Sequence, residues 1–462
     1  MMSRHLVIDF GSTYTKAVLF DLETARILGM GYAPSTVGTD VRAGLAAALK
    51  SIGDDLKPTQ APAHACSSAA GGLRMVVVGL VPSLSLEAAQ RAALGAGAKV
   101  VGAYGFKLSA GDLDEIVAHA PDILLLAGGT DGGDEEIIVH NAERLAKRRL
   151  DCPTIVAGNK SVVDECAGSL RSAGITVFVV PNILPEVDKL NVAPVHAKIR
   201  EIFMDRIIHA KGIDKVGDEI DLTDPIVPTP RAILDAAQIL SNGMKGDVVV
   251  VDIGGATTDV HSIASGAPRT PGVVQRGLPE LHAKRTVEGD LGMRVNAPTV
   301  LARAGAAALS ESCAALEHPA TEQEIEAYVA KVGRETGLVS EREGDLAVDA
   351  AIARAAASLA MVRHAGQVKE IFTATGPVPI QEGKDLTGVR MLIGVGGVLA
   401  HGMHARFILE AACKNPAHPF ALLPERPTFY VDRRYVLFGA GLLAARFPEQ
   451  ALQIARNHLV EL

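Results

Sequence analysis

Two stretches of this chain put an aspartate where an apolar run stops and a small-residue turn begins. Residues 5–20 read HLVIDFGSTYTKAVLF and residues 248–263 read VVVVDIGGATTDVHSI. Apolar run, tight turn and returning apolar run describe a β-hairpin. In the first copy Gly11 lets the backbone bend and leaves room for a ligand. Ser12, Thr13 and Thr15 offer hydroxyls, and the turn offers backbone N–H donors, a set suited to phosphate oxygens. A carboxylate beside phosphates makes chemical sense when a divalent cation stands between them, with water in its inner shell. Asp9 and Asp252 are therefore the candidate Mg²⁺ carriers and catalytic carboxylates. Lys16 adds a point cation for phosphate. The second copy supplies Gly254, Gly255, Thr257, Thr258 and Asp259. One such hairpin reads equally well as a plain turn. Two, about half a chain length apart, point to two related domains that grip one polyphosphate and its Mg²⁺.

A third glycine cluster, VRMLIGVGGVLAH, occupies residues 389–401. Gly394, Gly396 and Gly397 would let a flat ring or ribose press on bare backbone, with free N–H groups at the following helix start. The competing dinucleotide fingerprint wants G-x-G-x-x-G early in a βαβ unit, and this cluster lacks the third spacing. Taken alone it reads as a structural turn as readily as a ligand site. Cys66 reads as a small buried side chain in preference to a reactive thiol. The 14 histidines show no H-E-x-x-H spacing.

Elements that would carry these residues alternate along the chain. Strand-like runs fall at 5–10, 15–20, 74–80, 98–102, 122–127, 153–157, 175–180, 247–252, 257–263 and 389–394. Amphipathic or Ala-rich helices fall at 41–50, 85–95, 111–119, 135–149 and 160–173. The alternation predicts α/β architecture with sheets covered by helices, and runs such as VVVVD fit strands buried on both faces. Thr229 with Pro230 predicts a helix start. Thr321 with Glu324 is a capping-box signature. The Ala-rich region 300–366 predicts helix packed on helix. A connector at 183–230 carries a helix at 195–210, and the domains are expected at 1–230 and 231–462.

A chain of 462 residues exceeds one compact core. Apolar residues make 48% and charged residues 21%, a globular balance. Net charge is −8 without a basic block, which argues against nucleic acid as the main ligand. Five cysteines without a C-x-x-C pair fit reduced thiols. No apolar run approaches the roughly 20 residues needed to span a bilayer, and no leader pattern precedes the first strand. The expectation is a cytoplasmic protein that does not engage membranes.

The three motif segments together, in this order, resemble the phosphate-1, phosphate-2 and adenosine motifs of the actin, hexokinase and sugar-kinase ATPase superfamily. The resemblance implies two ribonuclease-H-like domains with ATP and Mg²⁺ in the cleft between them. VEGDLGMR (287–294) is similar to a phosphate-side loop of heat-shock chaperones in that superfamily, which adds Asp290 and Gly292 to the nucleotide-binding set. CSSAAGGLRMVVVGLVPSLS (66–85), LLAGGTDGGDEEIIVHN (125–141), RTVEGDLGMRVNA (285–297) and YVLFGAGLL (435–443) resemble the glutamate mutase accessory family called MutL or GlmL, distinct from the mismatch-repair protein. That resemblance implies an ATPase that reactivates an adenosylcobalamin-dependent mutase by releasing damaged cobalamin. No D-x-H-x-x-G pattern is present, so cobalamin would sit on the partner. Within the resemblance, GGTDGGDEE is either a turn or the site where Asp131, or an acidic residue behind it, orients the attacking water. A small-molecule kinase and a nucleotide-switched scaffold or filament remain alternatives on the same fold, and self-association is left open.

Overall fold

The computed structural model describes residues 4–11, 14–36, 40–68, 73–148, 150–203, 216, 220–374 and 376–462. The chain divides into two compact units, Met1–Ala232 with Gly277–Pro279, and Ile233–Arg276 with Glu280–Leu462.

In the first unit β1 (Arg4–Phe10), β2 (Tyr14–Asp21) and β3 (Arg26–Pro34) form an antiparallel meander. β4 (Ala63–Ser67) then pairs in parallel with β1. Alternation along β1 sends Leu6, Ile8 and Phe10 into the core with Ala17 and Leu19 of β2. Helix Val41–Ile52 covers that face with Val41, Leu45, Ala48, Leu49 and Ile52. Its N-terminus is capped by the Asp40 carboxylate, which accepts from the Arg42 amide.

A second sheet follows within the same unit. β5 (Arg74–Val78), β6 (Lys99–Tyr104), β7 (Ile123–Leu126), β8 (Thr154–Val156) and β9 (Val177–Val179) pair entirely in parallel, in the order β6-β5-β7-β8-β9. Four helices make the crossovers, Glu87–Gly95, Ala110–Ala118, Glu136–Arg148 and Val163–Ser172. Both faces of β5 and β7 are buried, which explains their unbroken Val and Leu runs. The helix expected at 195–210 is Ala193–Phe203 as far as it is described; residues 204–210 lie outside the described residues. β10 (Val227–Pro228) finally pairs in parallel with β4, giving the first sheet the order β10-β4-β1-β2-β3.

Helix Thr229–Met244 follows at once, and the division between the units falls inside it, after Ala232. The second unit repeats the first sheet's plan. β11 (Val248–Ile253) and β12 (Thr258–Ile263) form the second hairpin. After β13 (Val274–Arg276) comes β14 (Ala283–Glu288), antiparallel to β12. β15 (Gln367–Thr373) and β16 (Gly376–Glu382) form a small separate sheet with β13. β17 (Met391–Val395) pairs in parallel with β11, and β18 (Thr428–Val431) in parallel with β17; β19 (Val460–Glu461) closes the edge.

A three-strand meander followed by two parallel strands beside its first strand is the ribonuclease-H-like sheet. It occurs once in each unit, as the order β3-β2-β1-β4-β10 and as β14-β12-β11-β17-β18. Four helices between 297 and 364 pack on one another through Ala350, Ala353, Ala356, Ala357 and Ala360 and through Ile325, Val329 and Val332. The Thr321–Glu324 capping box is formed. Among the described residues, no helix is long and apolar enough to cross a membrane.

Candidate functional site

The first hairpin places Asp9 directly opposite Lys16. The Lys16 ammonium donates to Asp9 Oδ2 at 3.1 Å. Asp9 Oδ1 accepts from the Thr229 hydroxyl at 2.7 Å and from the Cys66 thiol at 3.6 Å. Cys66 is the register partner of Asp9 on β4, so strand pairing alone sets that contact. Burial, with the charge of Asp9 beside it, pushes the Cys66 thiol well above the usual range and keeps it protonated. With these partners around it, Asp9 is only 3% exposed. Gly11 closes the turn through its amide and the Tyr14 carbonyl (3.1 Å). A Cβ at Gly11 would lie 2.4 Å from that carbonyl oxygen. Thr15 pairs with Phe10 and shares its face, opposite to that of Asp9 and Lys16; its buried hydroxyl does not join the Asp9 group. Ser12 and Thr13 lie outside the described residues.

The second hairpin sets Asp252 opposite Asp259. Like charges directly opposite repel, and Arg285 of β14 offsets Asp259 with a 2.8 Å contact to Oδ1. Thr257 donates to the other oxygen of Asp259 at 3.3 Å. His261, one pleat further along β12, is held neutral by burial and by Arg285.

The turn of this hairpin is clasped by the segment after β14. The amides of Met293, Arg294 and Val295 donate to the carbonyls of Gly254 (3.0 Å), Gly255 (2.8 Å) and Gly255 (3.0 Å). The Asn296 side-chain amide donates to Ala256 O (2.6 Å) and Gly289 O (2.8 Å). Thr258 gives its hydroxyl to Leu291 O at 2.5 Å, inside the protein. Gly292 packs so tightly that a Cβ there would lie 2.3 Å from the Ala256 carbonyl carbon. Arg294 forks onto Asp349 at 2.8 and 2.9 Å, and Ser340 and Tyr328 complete that network. The Asp290 carboxylate meets two guanidiniums, Arg363 (2.7 and 3.1 Å) and Arg303 (2.8 Å). The hydrogen bond from Arg363 holds its carboxyl below the usual carboxylate range. The structure therefore places Gly292 against the turn's backbone, the Thr258 hydroxyl on the backbone of the clasp and Asp290 in an ion-pair cluster.

Gly394 lies inside β17, where a Cβ would meet Leu399 and Leu409 at about 3 Å. Gly396 has φ +108°, and a Cβ there would lie 2.2 Å from Ile253 O, the strand end next to Asp252. Both glycines are accounted for by packing. Gly397 opens the short helix Gly397–Ala400 and has room, with the Tyr435 hydroxyl nearest at 3.6 Å.

Asp131 follows β7 and so belongs to the parallel sheet rather than to the sheet of Asp9. Its Oδ1 accepts from the Lys160 amide (3.1 Å) and the Asn182 side chain (2.9 Å). Asn159, fully buried, ties the same loop through the Gly132 amide and the carbonyls of Gly133 and Asp134.

The residues present fit a hydrated magnesium nucleotide. Each hairpin offers a carboxylate near a strand end, and the first adds an ammonium. Among the described residues no three His, Cys, Asp or Glu side chains converge as a closed metal cage. Mg²⁺ keeps several waters and borrows phosphate oxygens, so it does not need one. Sequence reading did not mark Arg285, Arg294, Asn296, Asn182 or Asn159. Each acts across a separation that leaves no local pattern.

Comparison with known proteins completes the picture. The profile of the MutL protein family matches residues 5–459. The protein MutL of Clostridium tetanomorphum is 42% identical over 468 residues, spanning 100% of both chains. Among solved structures, nucleotide-free acetone carboxylase, studied for ATP-dependent acetone carboxylation, overlays 96% of this chain and 70% of its own. The overlay has 14% identity and a TM-score of 0.42. Component A of the (R)-2-hydroxyglutaryl-CoA dehydratase of Acidaminococcus fermentans covers 97% of this chain and 98% of its own, at 12% identity and a TM-score of 0.30.

Proposed function

The chain belongs to the MutL family of glutamate mutase accessory proteins, and from that premise we propose that it is a Mg²⁺-dependent ATPase that reactivates an adenosylcobalamin-dependent mutase. The observation that carries the ATPase reading is the repeated hairpin. Each unit has one ribonuclease-H-like sheet, and in each the first strand carries an aspartate one residue before its end, beside a glycine turn.

In this reading Asp9 and Asp252 would each orient a water of bound Mg²⁺, and Lys16 would hold phosphate. Preorganised donors of this kind supply most of the catalysis in phosphoryl transfer. Magnesium, when bound, offsets charge on the transferring phosphoryl group. Gly397 offers bare backbone for the nucleoside. No step is assigned to Asp131, whose carboxylate is already engaged by Lys160 and Asn182. Hydrolysis drives a change of conformation that acts on the mutase, and cobalamin stays on the mutase.

The deciding experiment measures phosphate release from ATP by the purified chain with Mg²⁺, alone and with a mutase inactivated by turnover or loaded with cyanocobalamin. Recovery of mutase activity on adding adenosylcobalamin, only when ATP is hydrolysed, is the expected result. Phosphorylation of a small metabolite without any effect on the mutase would replace this reading with a kinase.

A further inference from the structure

The hydrogen bond from Thr229 to Asp9 joins residues 220 positions apart. It spans from the first phosphate hairpin to the first residue of helix Thr229–Met244, the segment by which the chain passes from one unit to the other. We propose that Thr229 is a positioning residue that exchanges its hydrogen bond to Asp9 for a metal-bound water, and so releases the first turn of that helix when nucleotide binds. This rests on Asp9 serving Mg-ATP as argued above.

The argument turns on which partner of Asp9 can yield. Asp9 is 3% exposed and bonded by Lys16, Cys66 and Thr229, so a metal-bound water that takes a place on this carboxylate displaces a donor already there. Lys16 holds Oδ2 by a charge-assisted bond, the strong kind, and its ammonium is also wanted by phosphate. The Cys66 thiol is a weak donor at 3.6 Å on a backbone held by the register of β4, which pairs with Asp9 on one side and Val227 on the other, so turning it away would loosen no element. The Thr229 hydroxyl is a neutral donor, as a metal-bound water is, and it leaves by rotation of a single side-chain torsion.

What that rotation loosens is also local. The residues just before, Val227 and Pro228, stay pinned to Cys66 and Ser67 by the β10–β4 pairing. Thr229 is the first residue beyond that pairing, and Pro230 after it has no amide to donate. The side-chain bond to Asp9 is therefore a polar tie at the helix start, beside the burial of Ala232, Ile233 and Leu234 in the same turn. Its loss is felt in the first turn of the helix and not in the strand.

The test compares wild type, Thr229→Ser and Thr229→Val by hydrogen–deuterium exchange of the peptide over residues 229–240. Each is measured without nucleotide and with Mg²⁺ and a non-hydrolysable ATP analogue, whose binding is followed by calorimetry. Wild type and Thr229→Ser are expected to exchange faster at the helix start on binding, by about tenfold, as loss of one hydrogen bond to a carboxylate allows. Thr229→Val is expected to exchange at that faster rate already without nucleotide and to gain nothing more, while binding the analogue at least as tightly. Unchanged exchange in β7 and β8 checks that the variant is folded. Should Thr229→Val not fold, the wild-type step alone decides. Binding to wild type without any rise at the helix start, or a wild-type step retained in Thr229→Val, overturns the coupling and leaves the ATPase reading standing. Absence of binding to wild type overturns both.

Discussion

Gly292→Ala isolates what holds the second phosphate hairpin in place. The backbone at Gly292 is of an ordinary kind, so alanine costs nothing in torsion there. The penalty is purely one of space. Its Cβ would sit 2.3 Å from the Ala256 carbonyl carbon and 2.5 Å from its oxygen, where ordinary contact begins at 3.4 Å. The clasp and the turn must therefore part by about 1 Å. Four hydrogen bonds cross that gap, from Met293, Arg294, Val295 and Asn296 to Gly254, Gly255, Gly255 and Ala256, at 2.6–3.0 Å. Parting by about 1 Å carries most of them beyond hydrogen-bonding reach. At about 1 kcal/mol net apiece, the loss is about 2–4 kcal/mol after partial relaxation. The clasp cannot simply retreat, because Arg294 is locked to Asp349 behind it. The turn moves instead, and a misplacement of about 1 Å costs roughly a hundredfold in turnover. Urea unfolding followed by circular dichroism reads the first number, and steady-state phosphate release at saturating Mg-ATP reads the second. Gly344→Ala is the control, since nothing lies within 4 Å of the added methyl in that helix. A Gly292→Ala protein with wild-type midpoint and wild-type turnover would refute the reasoning that the clasp positions the turn.

Asp9→Asn and Asp252→Asn are each expected to abolish Mg-ATP turnover in a folded protein; unchanged phosphate release in both would sink the hairpin assignment. Gly396→Val is expected to lose nucleotide binding together with stability. It forces a side chain into φ +108° and against Ile253 O, and the backbone strain alone is about 1–3 kcal/mol; a stable variant that binds normally would contradict this. Acid should weaken the fold well before carboxylates titrate. Burial lowers His5 and His196 to about 4 and holds His261 and His364 well below the ordinary imidazole value. A depressed histidine pKa gives stability that is complete above the unfolded value of about 6.5 and is lost as pH falls toward about 4. Urea midpoints should therefore drop steadily between pH 6.5 and 4, and a flat profile over that window would count against neutral buried imidazoles.

Much of the fold was legible because the signals are local. The two hairpins announce themselves by an apolar run, a glycine turn and an apolar return, whereas the register that sets Asp9 against Lys16 was supplied by the structure. The helix starts at Thr229 and Thr321 were likewise readable from one turn of sequence. Strands that lack such a pattern escaped. AHACS of β4 is short and made of small residues, and AKRTVE of β14 is charged and only partly buried. The strands of the parallel sheet were recognisable one by one, but that they form a sheet of their own was not, because parallel pairing joins segments separated by a helix.

The composition of the candidate site divides along the same line. Residue order by itself determined that two Asp-Gly hairpins exist, that each carries a carboxylate near the end of a buried strand, and that glycines follow a third strand. Tertiary structure alone decided who stands beside them. Thr229 caps Asp9 from the far end of the unit, Arg285 balances Asp259, and Arg363 and Arg303 claim Asp290. It also assigned Gly292 and Gly396 to close backbone contacts and set Asp131 on another sheet. A strand's period is a property of neighbours along the chain. A carboxylate's partner is set by which strands and helices pack together, and no local pattern carries that information.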